Sequence, residues 1–249
     1  MTRRLLFIAL LLLTVAAPAQ PTPAALAAFH QYTAAVEMRL TRQHQAPTTF
    51  LAPVPLTRDP VIERLRTTPL PTALLHDWRG TAFAPGATVA DLERLLRDFA
   101  GYPLRYAPQV LRASVLAHDG DSMQATMRVR QKHLLTVVLD TTYDIRFGRL
   151  DLQHGYSISR SINVAEIDHT GEPGEHVLPT DRQHGFLWAI NTYWTYEERD
   201  GGLALQIESV SLSRSIPTGL GWAIVPMVES IPRESLEFTL RATCAALRH

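Results

Sequence analysis

Arg160 is the residue whose type and setting carry the most chemistry. It falls in the alternating set Tyr156, Ile158, Arg160, Ile162 and Val164, so a period of two turns its guanidinium inward with those apolar side chains. An inward guanidinium needs partners, because an unpaired buried charge is very costly. One partner is a ligand carboxylate or phosphate, gripped by parallel N–H donors. The other is an internal acid such as Glu237 on the C-terminal helix. Tyr143 and His154 stand on apolar sets of their own strands and are weaker polar candidates. Trp188, Ile190, Trp194 and Tyr196 share one strand parity, while Asn191 and Tyr193 share the other. Either face suits a small-molecule pocket, which combines aromatic walls with a few polar groups, and either is equally plain core. Trp222 and Met227, just ahead of the last helix, are placed to form an entrance or to pack.

Other chemistries lack their residues. The stretch from Glu166 to His184 holds His169, His176 and His184 among acids, but no H-E-x-x-H or paired-cysteine spacing, so no metal is expected. Gly219 and Gly221 precede a helix, yet Ile224 stands where a dinucleotide fingerprint needs its third glycine. No G-x-S-x-G occurs, and the single cysteine, Cys244, lies on an apolar helix face. No catalytic residue and no cofactor are assigned.

The chain has 249 residues with 24 basic and 24 acidic side chains. Residues 1–19 read as a signal peptide: Arg3 and Arg4, the apolar run Leu5–Leu13, then Ala17-Pro18-Ala19 as cleavage site. The run is too short for a stable membrane span, so a periplasmic or secreted protein beginning near Gln20 is expected. Losing Arg3 and Arg4 leaves 22 basic against 24 acidic residues, which gives no case for nucleic acid. Residues 20–73 read as an arm. Leu26, Phe29, Val36 and Leu40 recur at helical spacing, and six prolines follow between Pro47 and Pro71.

Residues 74–249 read as the packed domain. A strand at His76–Phe83 is followed by a helix capped by Thr88 and Asp91. From Ser122 the period becomes two, through alternating runs that end at Asp200-Gly201-Gly202 and Ile216. The last element is a helix from Pro232, apolar over most of its circumference through Leu236, Leu240, Thr243 and Leu247. Gly219, Gly221 and Pro226 predict a shorter, interrupted piece before it.

This order of one strand, a helical pair, six antiparallel strands and a terminal helix resembles the START-like (helix-grip) superfamily. The stretches HDWRGTAFAPGATVADLERLLRDFAGYPLRYAPQV and IPTGLGWAIVPMVESIPRESLEFTLRAT carry the likeness. The resemblance implies an α+β helix-grip fold, a curved antiparallel sheet wrapped around a long C-terminal helix, here with an N-terminal helical arm. It also implies a cavity for a hydrophobic small molecule or lipid between sheet and helix. A binding or carrier protein is expected, with a cyclase- or hydratase-type enzyme and a module with a filled core as alternatives.

Overall fold

The computed structural model describes residues 19–52, 57, 59–132, 136–215 and 221–248, and side chains outside 221–229. Helix α1 spans Pro23–Gln43, β1 Val61–Leu70 and β2 Ala73–Pro85. Helices α2 (Val89–Arg97) and α3 (Tyr102–Arg105) lead into β3 (Val110–Asp119), β4 (Ser122–Lys132), β5 (Thr136–Arg149) and β6 (His154–Asp168). A two-residue β7 (His176–Val177), β8 (Ala189–Arg199), β9 (Gly202–Arg214) and α4 (Gly221–Ala246) complete the chain.

The strands form one curved antiparallel sheet in the order β1-β2-β9-β8-β6-β5-β4-β3, with β7 paired to the end of β6. This is the α+β helix-grip fold. Strand β1 belongs to that sheet, pairing from Val61↔Thr81 to Leu70↔Ala73, so the arm contributes a full edge strand. The β8–β9 turn takes positive φ at both Asp200 (53°) and Gly201 (73°), the backbone a tight two-residue hairpin needs. Thr88 and Asp91 close the expected capping box on α2. Helix α4 runs unbroken from Gly221, so Pro226 and Pro232 lie inside it and not ahead of it or at its start. Each proline removes one backbone hydrogen bond there.

Both faces of the sheet are covered. On the inner face, α2, α3 and α4 bury Trp78, Ala82, Ile145, Phe147, Trp194, Tyr196 and Leu205 together with Leu236, Leu240 and Leu247. On the outer face, α1 lays Ala25, Phe29, Val36 and Leu40 on Leu75, Ala189, Tyr193, Val210 and Leu212. Thr22 caps α1 by accepting from the Ala25 N–H at 3.2 Å, and Pro23 starts the helix. Polar groups ring this outer core. The Tyr32 hydroxyl donates to Asp77 at 2.7 Å, Glu208 takes Arg39 and Arg79, and His44 meets the Thr195 hydroxyl at 2.9 Å.

A cavity between the sheet and the C-terminal helix

Helix α4 does not touch the whole inner face. Its C-terminal half is seated on β2, where Gly80 leaves room for Leu240: a Cβ at Gly80 would stand 2.6 Å from the Leu240 Cδ1. Its stretch from Ile231 to Thr239 instead lines a cavity of about 650 Å³. Tyr102 of α3 and Tyr106 just after it, with Phe99 stacked on Tyr102 at 4.4 Å, close one side. Val129 of β4 with Leu139, Tyr143, Ile145 and Phe147 of β5 form an apolar wall. The floor is the inner face of β6, β8 and β9, which presents Ser157, Ser159, Thr192, Trp194, Ser209, Ser211 and Ser213.

The tyrosines are neutral hydrogen-bonding groups here. Burial pushes Tyr143 and Tyr106 up to about 12 and Tyr102 well above the ordinary phenol range, since desolvation disfavours the charged form. The Tyr102 hydroxyl donates to the Leu96 carbonyl at 3.0 Å, and Tyr106 and Thr243 share a hydroxyl contact of 3.0 Å. Burial also raises the Cys244 thiol, which keeps it from acting as a thiolate nucleophile.

The rim of the cavity is fixed by a buried acid. Glu166 is 3% exposed and accepts from His184 N, Gly185 N and Phe186 N at 2.8–3.2 Å, and it meets His184 Nδ1 at 2.8 Å. Arg214 Nη1 donates to the His184 carbonyl at 3.1 Å and ties β9 to the same rim. In the sequence, Glu166 is only the start of the polar stretch that runs to His184. The available signal was an acid at the end of a strand, flanked by Val164, Ala165 and Ile167.

The sequence-derived candidates divide between the two faces. Tyr143 and Trp194 line the cavity. Arg160 does not, and its inward assignment is corrected: it faces outward, bonded through Nε and Nη2 to Glu37 of α1 at 2.7 and 2.6 Å. Glu237, its proposed internal partner, is held by Arg241. His154 is also on the outer side, against Asp151 at 2.7 Å and edge-on to Phe50. Asn191 donates to the Tyr193 hydroxyl at 3.2 Å on the outer face. Trp188 packs against the outer core and donates to the Ala19 carbonyl at 3.1 Å. Arg160 and Asn191 instead border an open, outer groove of about 680 Å³ beneath α1. The side chains of Trp222 and Met227 lie outside the described residues.

The physical reason for these corrections is that α1 dries the outer face. Ile158 is packed under α1 and Tyr156 stacks on His44 at 4.5 Å, so the apolar parity of β6 is its outer parity. The inner parity is Ser157 and Ser159. A register shift between Thr142↔Asn163 and Tyr143↔Ser161 then leaves Ile162 as an extra residue, and a bulge exchanges the faces beyond it. The period-two serines of Ser157-Ile158-Ser159 and Ser209-Val210-Ser211-Leu212-Ser213 were the overlooked signal.

Among the described residues, no cluster of three His, Cys, Asp or Glu side chains could hold a metal ion, and no helix is long and apolar enough to cross a membrane.

The architecture is the α+β helix-grip fold, with β1 at the sheet edge and α1 on the outer face. No protein-family model and no curated protein matches the chain. Solved structures do resemble it. Protein TTHA0849 from Thermus thermophilus is 14% identical with a TM-score of 0.49, covering 69% of this chain and 96% of that one. The STAR-related lipid transfer protein from Xanthomonas axonopodis is 14% identical with a TM-score of 0.45, covering 72% and 98%. The Zhui aromatase/cyclase from Streptomyces sp. R1128 is 12% identical with a TM-score of 0.46, covering 69% and 92%. At these identities and scores the likeness carries no functional argument.

Proposed function

We propose that this chain is a non-enzymatic binding or carrier protein that holds a hydrophobic or amphipathic small molecule in the cavity beneath α4. One observation carries the reading: the cavity of about 650 Å³ has aromatic and aliphatic walls, and no carboxylate or lysine lines it among the described residues. Binding is then driven by removal of apolar ligand surface from water, at about 25 cal/mol per Å². Among the titratable groups that line the cavity, Tyr102, Tyr106 and Tyr143 are pushed away from neutral pH and are unsuited to acid–base catalysis there, and the imidazoles of His76 and His184 line it as well.

The protein works outside the cytoplasm in this reading. Cleavage after Ala19 would retain Thr22 and Pro23, which start α1. The expected mature terminus is Gln20, and an intact Met1 on soluble cytoplasmic protein would refute export.

Native mass spectrometry of protein recovered from its own compartment tests the carrier reading. The expected result is a stoichiometric apolar adduct that organic solvent releases unchanged. Ligand-free protein that also takes up no apolar probe would point to a filled module.

A cyclase- or hydratase-type reading has one observation behind it, the imidazole of His184 held by Glu166 at the rim. It requires turnover of the bound molecule that His184→Gln abolishes without weakening binding.

A further inference from the structure

Strand β3 ends the sheet at the side opposite β1, and among the described residues it pairs only with β4. Arg112 and every residue from Ser114 to Asp119 are exposed, with Val115 at 43% and Leu116 at 55%. The free edge presents main-chain N–H and C=O groups beside apolar side chains, which is a template for one more strand. The other edge, β1, is less suited, because Pro69 has no N–H to give.

The register with β4 selects the partner. Val115 stands opposite Ala125 and Ala117 opposite Gln124, so Leu116 is an extra residue and the strand changes faces across it. Before this bulge, Arg112 and Ser114 share the outer face with Arg128 and Thr126. After it, Ala117 and Asp119 share that same outer face with Gln124 and Ser122. In an unbroken strand, residues seven apart would point to opposite sides. The bulge therefore brings a cation and an anion to one face, at the two ends of the exposed stretch.

A second β3 laid antiparallel, with the two-fold axis at Val115 and Leu116, matches this pattern. Arg112 then meets the partner's Asp119, Ser114 meets the partner's Ala117, and both contacts recur in the other half. On the inner face Ala113 meets the partner's His118. The extra residue of one strand faces the extra residue of the other, so neither disturbs the register. A bulge turns an edge away from straight strands, and this edge consequently fits its own copy better than a generic strand. Arg112 is 71% exposed, and its neighbour Glu175, at 3.6 Å, is already held by Arg128. Its guanidinium is open to a second carboxylate.

We propose that the chain forms a two-fold dimer through β3, with one continuous sheet running across both copies and two Arg112–Asp119 pairs fixing the register. Such an isologous contact closes on itself and adds no further copies. It does not depend on what the cavity holds.

Sedimentation velocity on the mature full chain over a range of concentrations should show a monomer–dimer equilibrium. Asp119→Arg sets like charges against each other twice, and so does Arg112→Asp; each should weaken dimerisation about tenfold or more. An equimolar mixture of these two variants should dimerise again, because the heterodimer pairs opposite charges at both ends. The double variant should dimerise as the wild type does. A second test does not rely on charge: Ser114→Cys mixed with Ala117→Cys should cross-link on oxidation, and Ser114→Cys alone should not, since only directly opposite residues come within reach of a disulfide. Circular dichroism melts verify that each variant is folded, and the cysteine pair decides if a charge variant is not. A wild-type chain that stays monomeric would overturn the proposal. So would a dimer indifferent to the charge exchanges, a mixture that fails to restore it, or cross-linking of Ser114→Cys to itself.

Discussion

Arg160 and Glu37 join the sheet to the N-terminal helix through a bidentate pair of 2.7 and 2.6 Å, and the Tyr193 hydroxyl adds a third contact to Glu37 at 3.2 Å. The side chains are 37% and 22% exposed, so solvent screens part of the attraction. Two-pronged geometry still favours the charged forms, and Glu37 holds the guanidinium above its ordinary pKa. This pair is a clasp on α1 and stands on the opposite side of the sheet from the cavity.

Replacing Arg160 with Met should therefore lower stability modestly, by about 1–2 kcal/mol after allowing for screening. Ligand affinity and the preference between acids and esters should stay as they are. Denaturant melts and calorimetry on one preparation check both halves. A stable variant with altered ligand preference would return Arg160 to the binding site.

Most of the architecture was legible because its signals are local. The Thr88–Asp91 capping box, the Asp200-Gly201 turn and the apolar stripe of Leu236, Leu240, Thr243 and Leu247 each sit within a few residues. Sidedness was not local. A strand covered on both faces has no single dry parity, and β6 has Ile158 under α1 but Ser157 and Ser159 on the cavity. Reading the apolar set as inward therefore carried Arg160 and His154 to the wrong side. The burial of Glu166 depends on main-chain N–H groups 18 to 20 residues downstream, a contact that no periodicity records.

Phe29 is 2% exposed at the centre of the outer core, against β2, β8 and β9. Phe29→Ala should cost about 3–5 kcal/mol, the range for a large aromatic removed from packed surroundings. Urea unfolding monitored by circular dichroism measures it. A loss under about 1 kcal/mol would mean that α1 contributes little to the folded state.

Two groups under α1 give stability opposite pH dependences. Burial, aided by the neighbouring Glu208, pushes the Asp77 carboxyl from 3.8 up to about 7. The folded state keeps this proton where the unfolded chain has released it, so its contribution declines as pH rises from about 4 to 7. Burial lowers His44 from 6.5 to about 4, with Arg39 adding to the effect. The unfolded chain then takes up that proton first, and stability is lost as pH falls from about 6.5 towards 4. Asp77→Asn removes the first effect and leaves the second, so the variant should gain stability from pH 4 to 6.5 and hold it to pH 8. Urea melts at half-unit pH steps would show this. A decline between pH 5 and 7 that persists in the variant would exclude Asp77 as its source.

The seat of α4 on β2 sets the width of the cavity, and Gly80 makes that seat possible. A methyl group there would meet Leu240 Cδ1 at 2.6 Å and Ile62 Cδ1 at 2.9 Å, and Leu240 is fully buried. Gly80→Ala should therefore cost about 1–3 kcal/mol through overpacking. Leu240→Ala alone should cost about 2–5 kcal/mol through the void it leaves. Combined, the new methyl group takes up part of the space that Leu240 vacates, so the double variant should be more stable than the sum of the two losses predicts. Residues in direct contact show such coupling at about 0.5–3 kcal/mol. A double-mutant cycle by urea unfolding measures it, and strict additivity would mean that the helix seats elsewhere on the sheet. The same cycle read by ligand titration should show Gly80→Ala changing affinity, because a displaced α4 moves Leu236 and Phe238 relative to the cavity floor.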